Sequence, residues 1–147
     1  MIEVNNLTKS YGNNIILKQI SFKIDRGSIY GFLGKNGAGK TTTMNILTGF
    51  TRYDSGEIYI DGLKFSENKR RLLKRIGYLP ENPVFYNYMN SEEYLNFIGE
   101  LSNMKSKDKR IEAILESVNL KYAKKKENLG IFEGYEAETW YSCSIVE

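Results

Sequence analysis

The chain lacks histidine altogether and holds one cysteine, Cys143, and two prolines among its 147 residues. Without histidine no imidazole can act as a general base or bind a metal. A single cysteine excludes an internal disulfide framework and fits a reducing compartment. No apolar run approaches the roughly 18 residues of a membrane span, and no secretory signal is predicted after Met1. The 21 basic and 18 acidic residues leave a net charge of +3, too small to predict a nucleic-acid partner.

The most informative segment is residues 34–41, which read Gly-Lys-Asn-Gly-Ala-Gly-Lys-Thr. They fill every fixed position of the phosphate-binding pattern G-x-x-x-x-G-K-[ST]. Its glycines allow backbone N–H groups to line a concave anion site, and the following helix adds its positive N-terminal end. Lys40 is predicted to reach the β- and γ-phosphates and Thr41 to ligate Mg²⁺. Chance produces the pattern in roughly one chain of this length in two hundred.

The residues around this loop predict the strand and the helix that it requires. Residues 28–33 form an apolar run that predicts a buried strand, and residues 41–50 predict a helix that ends near Gly49. Asn90, with Glu93 three residues later, has the pattern of a helix cap. Apolar periodicity predicts further strands at residues 2–7, 15–17, 20–24, 57–61 and 76–79, and further helices at residues 69–74, from residue 91 and at 107–118.

Several classes of protein share this loop, and other residues discriminate among them. A GTPase would carry Asn-Lys-x-Asp to bind guanine, whereas residues 68–71, Asn-Lys-Arg-Arg, lack the Asp and lie too close to the loop. A small-molecule kinase usually begins with the loop strand, whereas strand-like sequence precedes it here. Residues 58–61, Ile-Tyr-Ile-Asp, mimic the Mg²⁺-binding strand of a Walker B motif, but Gly62 stands where a catalytic Glu is expected. We therefore interpret Asp61 and Gly62 as a hairpin turn.

Three further segments carry a family resemblance. Residues 8–12 read Thr-Lys-Ser-Tyr-Gly, residues 55–62 read Ser-Gly-Glu-Ile-Tyr-Ile-Asp-Gly, and residues 76–81 read Ile-Gly-Tyr-Leu-Pro-Glu. With the loop, they make the chain similar to the nucleotide-binding domain of an ABC transporter, over residues 1 to about 124. The resemblance implies an α/β fold: a P-loop NTPase core of ABC type with an antiparallel β subdomain and the start of a helical subdomain, here incomplete.

The resemblance implies ATP and Mg²⁺ as cofactors and assigns roles to residues. Tyr11 would stack on adenine; taken alone it is one of eleven tyrosines, for which a structural role is the alternative. Glu81 replaces the family's Q-loop glutamine, as in some exporter-type members, and would contact Mg²⁺ or its water while adding negative charge. The phosphates would be held by Gly34, Asn36, Gly37, Ala38, Gly39, Lys40, Thr41 and Thr42, with Thr41 also on the metal.

The resemblance also implies partners and a location. The segment after Glu81 is similar to the start of the helical subdomain that contacts a membrane-spanning permease subunit. A second ATP-binding domain would complete a homodimer in the intact protein, and no nucleic acid is implied. The chain would then be cytoplasmic, held on the inner face of the cell membrane through the permease.

Residues 125–147 depart from the family pattern. Residues 127–147 hold five Glu and no Lys or Arg, and the family's signature, Walker B motif, D-loop and switch histidine do not follow. Possible codons for residues 132–143, read one base later, permit Ser-Lys-Gly-Met-Lys-Gln-Lys-Leu-Gly-Ile-Ala-Val, which resembles that signature. We interpret the tail as a frameshift near the lysine run at residues 124–126, poorly ordered in the protein. An unrelated variable tail is the alternative.

These observations lead to one expected function and two alternatives. We expect an ATP-binding subunit that binds Mg-ATP to power export through a separate membrane subunit. Weak nucleotide binding and little or no hydrolysis are expected of this chain, because the Walker B carboxylate, the catalytic Glu and the signature are missing. The alternatives are an inert or regulatory fragment without productive nucleotide binding, and another P-loop phosphoryl-transfer enzyme.

Overall fold

Contacts in a computed structural model divide the chain into two units, Met1–Ile76 and Gly77–Glu147. The first unit holds a β-sheet with two helices, and the described residues of the second unit form two more helices. The predicted domain boundary near residue 124 and the predicted tail lie outside the residues that the structure describes, which are 1–81, 86, 89–101 and 104–117.

The sheet of the first unit has four strands: β1 (Ile2–Tyr11), β2 (Asn14–Ile24), β3 (Ser55–Ile60) and β4 (Leu63–Lys64). Their order across the sheet is β2-β1-β3-β4, and every neighbouring pair is antiparallel. The two strands predicted at residues 15–17 and 20–24 are one continuous strand, in which Gln19 (φ 50°) marks an irregularity without ending the pairing. The sheet is therefore the antiparallel β subdomain that the sequence predicted.

A two-residue turn joins β3 to β4. Asp61 (φ 49°) and Gly62 (φ 78°) both have positive φ, which the favoured hairpin turn requires. The Asp61 carboxylate accepts hydrogen bonds from the N-terminal ammonium of Met1 at 2.7 Å and from Arg75 at 3.0 Å. The N-terminal ammonium in particular holds the pKa of Asp61 below its ordinary value. The interpretation of Asp61 as a turn residue rather than a Walker B aspartate is confirmed.

Two helices pack on this sheet, α1 (Lys40–Leu47) and α2 (Phe65–Leu73). The helix after the loop is confirmed, with Gly49 in the left-handed region (φ 79°) just beyond its end. Lys69 of α2 donates a hydrogen bond to the carbonyl of Gly49 at 3.0 Å, so the second helix caps the end of the first. The buried apolar core draws on β1, β2, β3 and both helices: Val4, Leu7, Leu17, Ile46, Leu47, Ile58, Phe65 and Leu72.

Residues 28–33 do not form the predicted buried strand. Tyr30 and Phe32 contact the ring of Phe22, with centroids 6.3 and 5.5 Å apart, whereas Ile29 and Leu33 are 104% and 93% exposed. The side chains alternate as in a strand, but a strand also requires a neighbour to share its ladder hydrogen bonds. Within the described ranges this segment has none, and the same holds for residues 76–79. The strand predictions at residues 28–33 and 76–79 are therefore wrong, because an apolar pattern does not guarantee that another strand lies alongside.

The second unit contains α3 (Ser91–Leu101) and α4 (Lys107–Ser117), which contact each other. Asn90 and Glu93 cap α3 reciprocally: the Asn90 amide oxygen accepts from the Glu93 N–H at 2.9 Å, and the Glu93 carboxylate accepts from the Asn90 N–H at 2.8 Å. This confirms the predicted cap. Of the helices in the described ranges, none combines the length and apolar character needed to cross a bilayer.

Replacing Asn90 by alanine is expected to fray the first turn of α3. The change removes the acceptor for the Glu93 N–H and costs about 1 kcal/mol, so amide exchange in α3 should speed up roughly fivefold. Hydrogen exchange resolved along residues 91–101 measures this. Asn90→Asp keeps an equivalent acceptor and should exchange like the parent chain. Equal protection in the alanine variant would show that the cap does not stabilise the helix.

Candidate functional site

The backbone of the loop at residues 34–41 has the conformation of an anion-binding turn. Gly37 (φ 81°) and Gly39 (φ 86°) lie in the left-handed region, and the Ala38 N–H donates to the carbonyl of Lys35 at 3.1 Å. Gly39 is the first flanking residue of α1 and has no side chain to cap it. The first N–H groups of that helix therefore remain available, together with its positive dipole end. Such an arrangement favours a bound anion.

Lys40, the first residue of α1, folds its side chain back across this loop. Its ammonium donates hydrogen bonds to the carbonyls of Gly34 at 2.6 Å and Lys35 at 2.9 Å. An ammonium has three donors, and these bonds within the described part of the chain use two of them. Lys40 thus braces the start of the loop and holds a positive charge beside the backbone donors.

The end of the loop is fixed between strand β2 and helix α1. A Cβ atom on Gly39 would lie 2.5 Å from the Leu17 side chain and 3.2 Å from the carbonyl of Ile16, so the backbone approaches β2 closely. The buried hydroxyl of Thr43 donates to the carbonyl of Gly39 at 2.9 Å. Only glycine satisfies both the positive φ and the close approach at this position.

The structure brings the predicted phosphate-binding residues together at one junction of loop and helix. Thr41 is exposed and Thr42 is half-buried in the first turn of α1. No group of three Asp, Glu, Cys or His side chains in the described ranges could hold a metal ion by itself. Mg²⁺ usually takes only one or two protein ligands and completes its shell with phosphate oxygens and water. A lone hydroxyl such as that of Thr41 fits this chemistry, and its role remains a prediction.

Tyr11 ends β1 and lies on the same face of the sheet as Leu17, which contacts the loop. Lys9 pairs with Leu17, whose side chain approaches Gly39, and Tyr11 follows two residues along the strand, about 7 Å further. Residues two apart in a strand share a face. The Tyr11 ring is 51% exposed. The topology therefore puts an exposed ring and the loop on one side of the sheet, as stacking on a nucleotide requires.

Sequence reasoning missed Lys9 and Asp54, which surround Tyr11. The Lys9 ammonium lies 5.0 Å from the centroid of the Tyr11 ring and 3.1 Å from the Asp54 carboxylate. That carboxylate also accepts the Ser10 N–H at 2.6 Å. This backbone bond, followed by the bond from Lys9, holds the pKa of Asp54 below its ordinary value. Strand alternation could have indicated the contact between Lys9 and Tyr11, but no sequence pattern indicates the contact between Lys9 and Asp54.

Glu81 is exposed and belongs to the second unit. The loop residues 34–41 belong to the first unit. The contact of Glu81 with Mg²⁺ or a bound water therefore remains a prediction.

Comparison with known proteins identifies the family. A family model described as ABC transporter matches residues 17–131. The chain is 42% identical over 126 residues to an uncharacterized ABC transporter ATP-binding protein, YcbN, of Bacillus subtilis. It is 39% identical over 126 residues to the bacitracin transport ATP-binding protein BcrA of Bacillus licheniformis. Both alignments cover 86% of this chain and 41% of the relative.

A solved structure agrees with these matches. The structure of the ATP-binding subunit of an ABC transporter superposes with a TM-score of 0.79 at 25% sequence identity. The superposition covers 97% of this chain and 60% of the other. The chain spans about two fifths of the length of each of the two curated relatives, YcbN and BcrA. Since the family match extends over most of its residues, the chain belongs to the ABC transporter family as an ATP-binding domain.

Proposed function

We propose that this chain binds Mg-ATP through the loop at residues 34–41 and through Tyr11. The observation that carries the proposal is the geometry of the loop, in which two glycines with positive φ are followed by a lysine folded over the loop carbonyls. Backbone donors and a fixed ammonium together recognise the phosphates of a nucleotide. The phosphate-binding residues are Gly34, Asn36, Gly37, Ala38, Gly39, Lys40, Thr41 and Thr42.

Lys40 has a defined task in this binding. Its ammonium meets a phosphate oxygen with its third donor, or exchanges one of its bonds to Gly34 and Lys35 for a bond to phosphate. Gly34 and Lys35 are exposed, so a carbonyl that Lys40 releases regains a hydrogen bond to water and the exchange costs little. Mg²⁺, when bound, neutralises charge on the β- and γ-phosphates, and the Thr41 hydroxyl is its proposed protein ligand.

We further propose that, in the whole protein, this domain powers export through a separate permease. The support is the 39% identity to a protein named for bacitracin transport, together with Glu81 in place of the Q-loop glutamine, a feature of some exporter-type members. The permease and a second ATP-binding domain are the proposed partners. Binding to the permease would hold the domain on the inner face of the cell membrane.

For the 147-residue chain alone we propose nucleotide binding with little or no hydrolysis. Phosphoryl-transfer enzymes work mainly by positioning and by charge stabilisation. The second-half family motifs that supply these functions are not in the sequence. The competing functions are an inert or regulatory fragment that binds no nucleotide, and a self-sufficient phosphoryl-transfer enzyme with another base.

Calorimetric titration with Mg-ATP and an assay of phosphate release separate these functions. We expect saturable binding of Mg-ATP and no phosphate release above that of a Lys40→Ala control. No binding by the parent chain would identify an inert fragment. Phosphate release that the Lys40→Ala substitution abolishes would identify an active enzyme and overturn the proposal of little hydrolysis.

A further inference from the structure

Alternation along the end of β1 places three side chains of decreasing burial on one face. Leu7 is fully buried, the side chain of Lys9 is only 13% exposed, and Tyr11 is 51% exposed. A lysine side chain is ordinarily among the most exposed in a protein. Most of the Lys9 side chain therefore packs against the edge of the core, while its ammonium reaches an opposite charge at the exposed surface.

Asp54, in the loop before β3, supplies that charge and is itself held at three points. Its carboxylate accepts from the Lys9 ammonium at 3.1 Å and from the Ser10 N–H at 2.6 Å, and its own N–H donates to the carbonyl of Thr8 at 3.0 Å. The contacts on Thr8 and Ser10 flank Lys9 on both sides along the strand. Asp54 thus fixes the backbone around Lys9 as well as the ammonium.

The ammonium that Asp54 holds lies against the Tyr11 ring. The distance of 5.0 Å from Lys9 Nζ to the ring centroid is within the range of a cation–π contact. A ring with a cation held against one face has only the other face open to a planar ligand. An exposed tyrosine without such a contact would sample several rotamers, and a ligand would have to order it on binding.

We propose that Lys9 and Asp54 are positioning residues that hold the Tyr11 ring ready to stack on a nucleotide base. Lys9 covers one face of the ring, Asp54 holds Lys9 in place, and the base of a nucleoside triphosphate stacks on the opposite face. The inference rests on the proposed binding of ATP at this loop. It predicts that the pair contributes to the binding of the base and not to that of the phosphates.

The test compares a ligand that has a base with one that has none. Calorimetry on the full chain gives dissociation constants for Mg-ATP and for Mg-tripolyphosphate. Lys9→Met should weaken Mg-ATP binding about three- to tenfold and leave tripolyphosphate binding within about twofold. Asp54→Asn should act in the same direction, because it releases Lys9 from its charged partner. Lys9→Arg keeps a cation for both Asp54 and the ring, and should restore most of the affinity for ATP.

Lys18→Met is the matched control, since it removes an exposed lysine from β2 and should change neither constant. The inference is overturned if Lys9→Met leaves ATP affinity unchanged while the parent chain binds ATP more tightly than tripolyphosphate; the phosphate site then stands without the pair. Equal weakening of both ligands, with no rescue by arginine, also overturns it, since Lys9 then only supports the fold. If the parent chain binds neither ligand, the proposed function and this inference both fail.

Discussion

Replacing Lys40 by alanine is expected to weaken the binding of Mg-ATP and of Mg-tripolyphosphate by the same factor. The ammonium is a charged donor fixed at the loop by the carbonyls of Gly34 and Lys35. Losing a charged hydrogen bond to phosphate costs about 2–3 kcal/mol, which is roughly a 30- to 140-fold rise in the dissociation constant. Calorimetric titration of the parent chain and the variant with both ligands measures this rise in the dissociation constant. An equal loss for the two ligands would assign the effect to the phosphates.

The neighbouring lysine provides the control for charge alone. Lys35 is exposed and contributes its backbone carbonyl to the loop, so Lys35→Ala removes one positive charge and leaves the carbonyl that Lys40 uses. Its charge is screened by solvent, and the substitution should weaken binding by no more than about threefold. If both variants lose affinity equally, general attraction rather than a specific contact holds the ligand. If Lys40→Ala binds ATP like the parent chain, residues 34–41 are not the phosphate site.

Features governed by local rules could be predicted from the sequence. The turn at Asp61 and Gly62 depends on two residues that tolerate positive φ. The cap of α3 depends on Asn90 and Glu93 alone. The loop at residues 34–41 could be predicted from its own glycines and the helix that follows, whereas the close approach of Gly39 to β2 could not. Each of these predictions needed only neighbours within a few residues.

Features that depend on distant residues could not be predicted. Residues 28–33 have the composition of a buried strand, but a strand forms only where another strand lies beside it, and composition carries no information about that neighbour. Asp54 contacts Lys9 and Ser10 from another part of the chain, without any periodic pattern to join them. The close approach of Gly56 to β1 is of the same kind, because it is visible only once the strands are paired.

Replacing Gly56 by alanine is expected to destabilise the first unit by about 2–6 kcal/mol. The residue has φ of 104°, which alone strains an L-residue by about 1–3 kcal/mol. A Cβ atom there would also lie 2.6 Å from the carbonyl oxygen of Asn6, 2.7 Å from the Cα of Leu7 and 2.8 Å from the carbonyl oxygen of Asn5. All three atoms belong to the backbone of β1, which cannot rotate away as a side chain can. The strands must separate, and overpacking of this kind costs a further 1–3 kcal/mol.

Amide exchange in the β1–β3 ladder measures this loss within the first unit, without requiring both units to unfold together. Gly62→Ala is the matched control: Gly62 also has positive φ (78°), but a Cβ there meets no atom within 4 Å. It should cost about 1 kcal/mol, which is the conformational part alone. The excess of Gly56→Ala over Gly62→Ala then reports the steric part, together with the added backbone strain at φ 104° compared with φ 78°. Equal losses in the two variants would mean that β1 and β3 move apart freely at Gly56, and that the sheet under the loop is less rigid than its register implies.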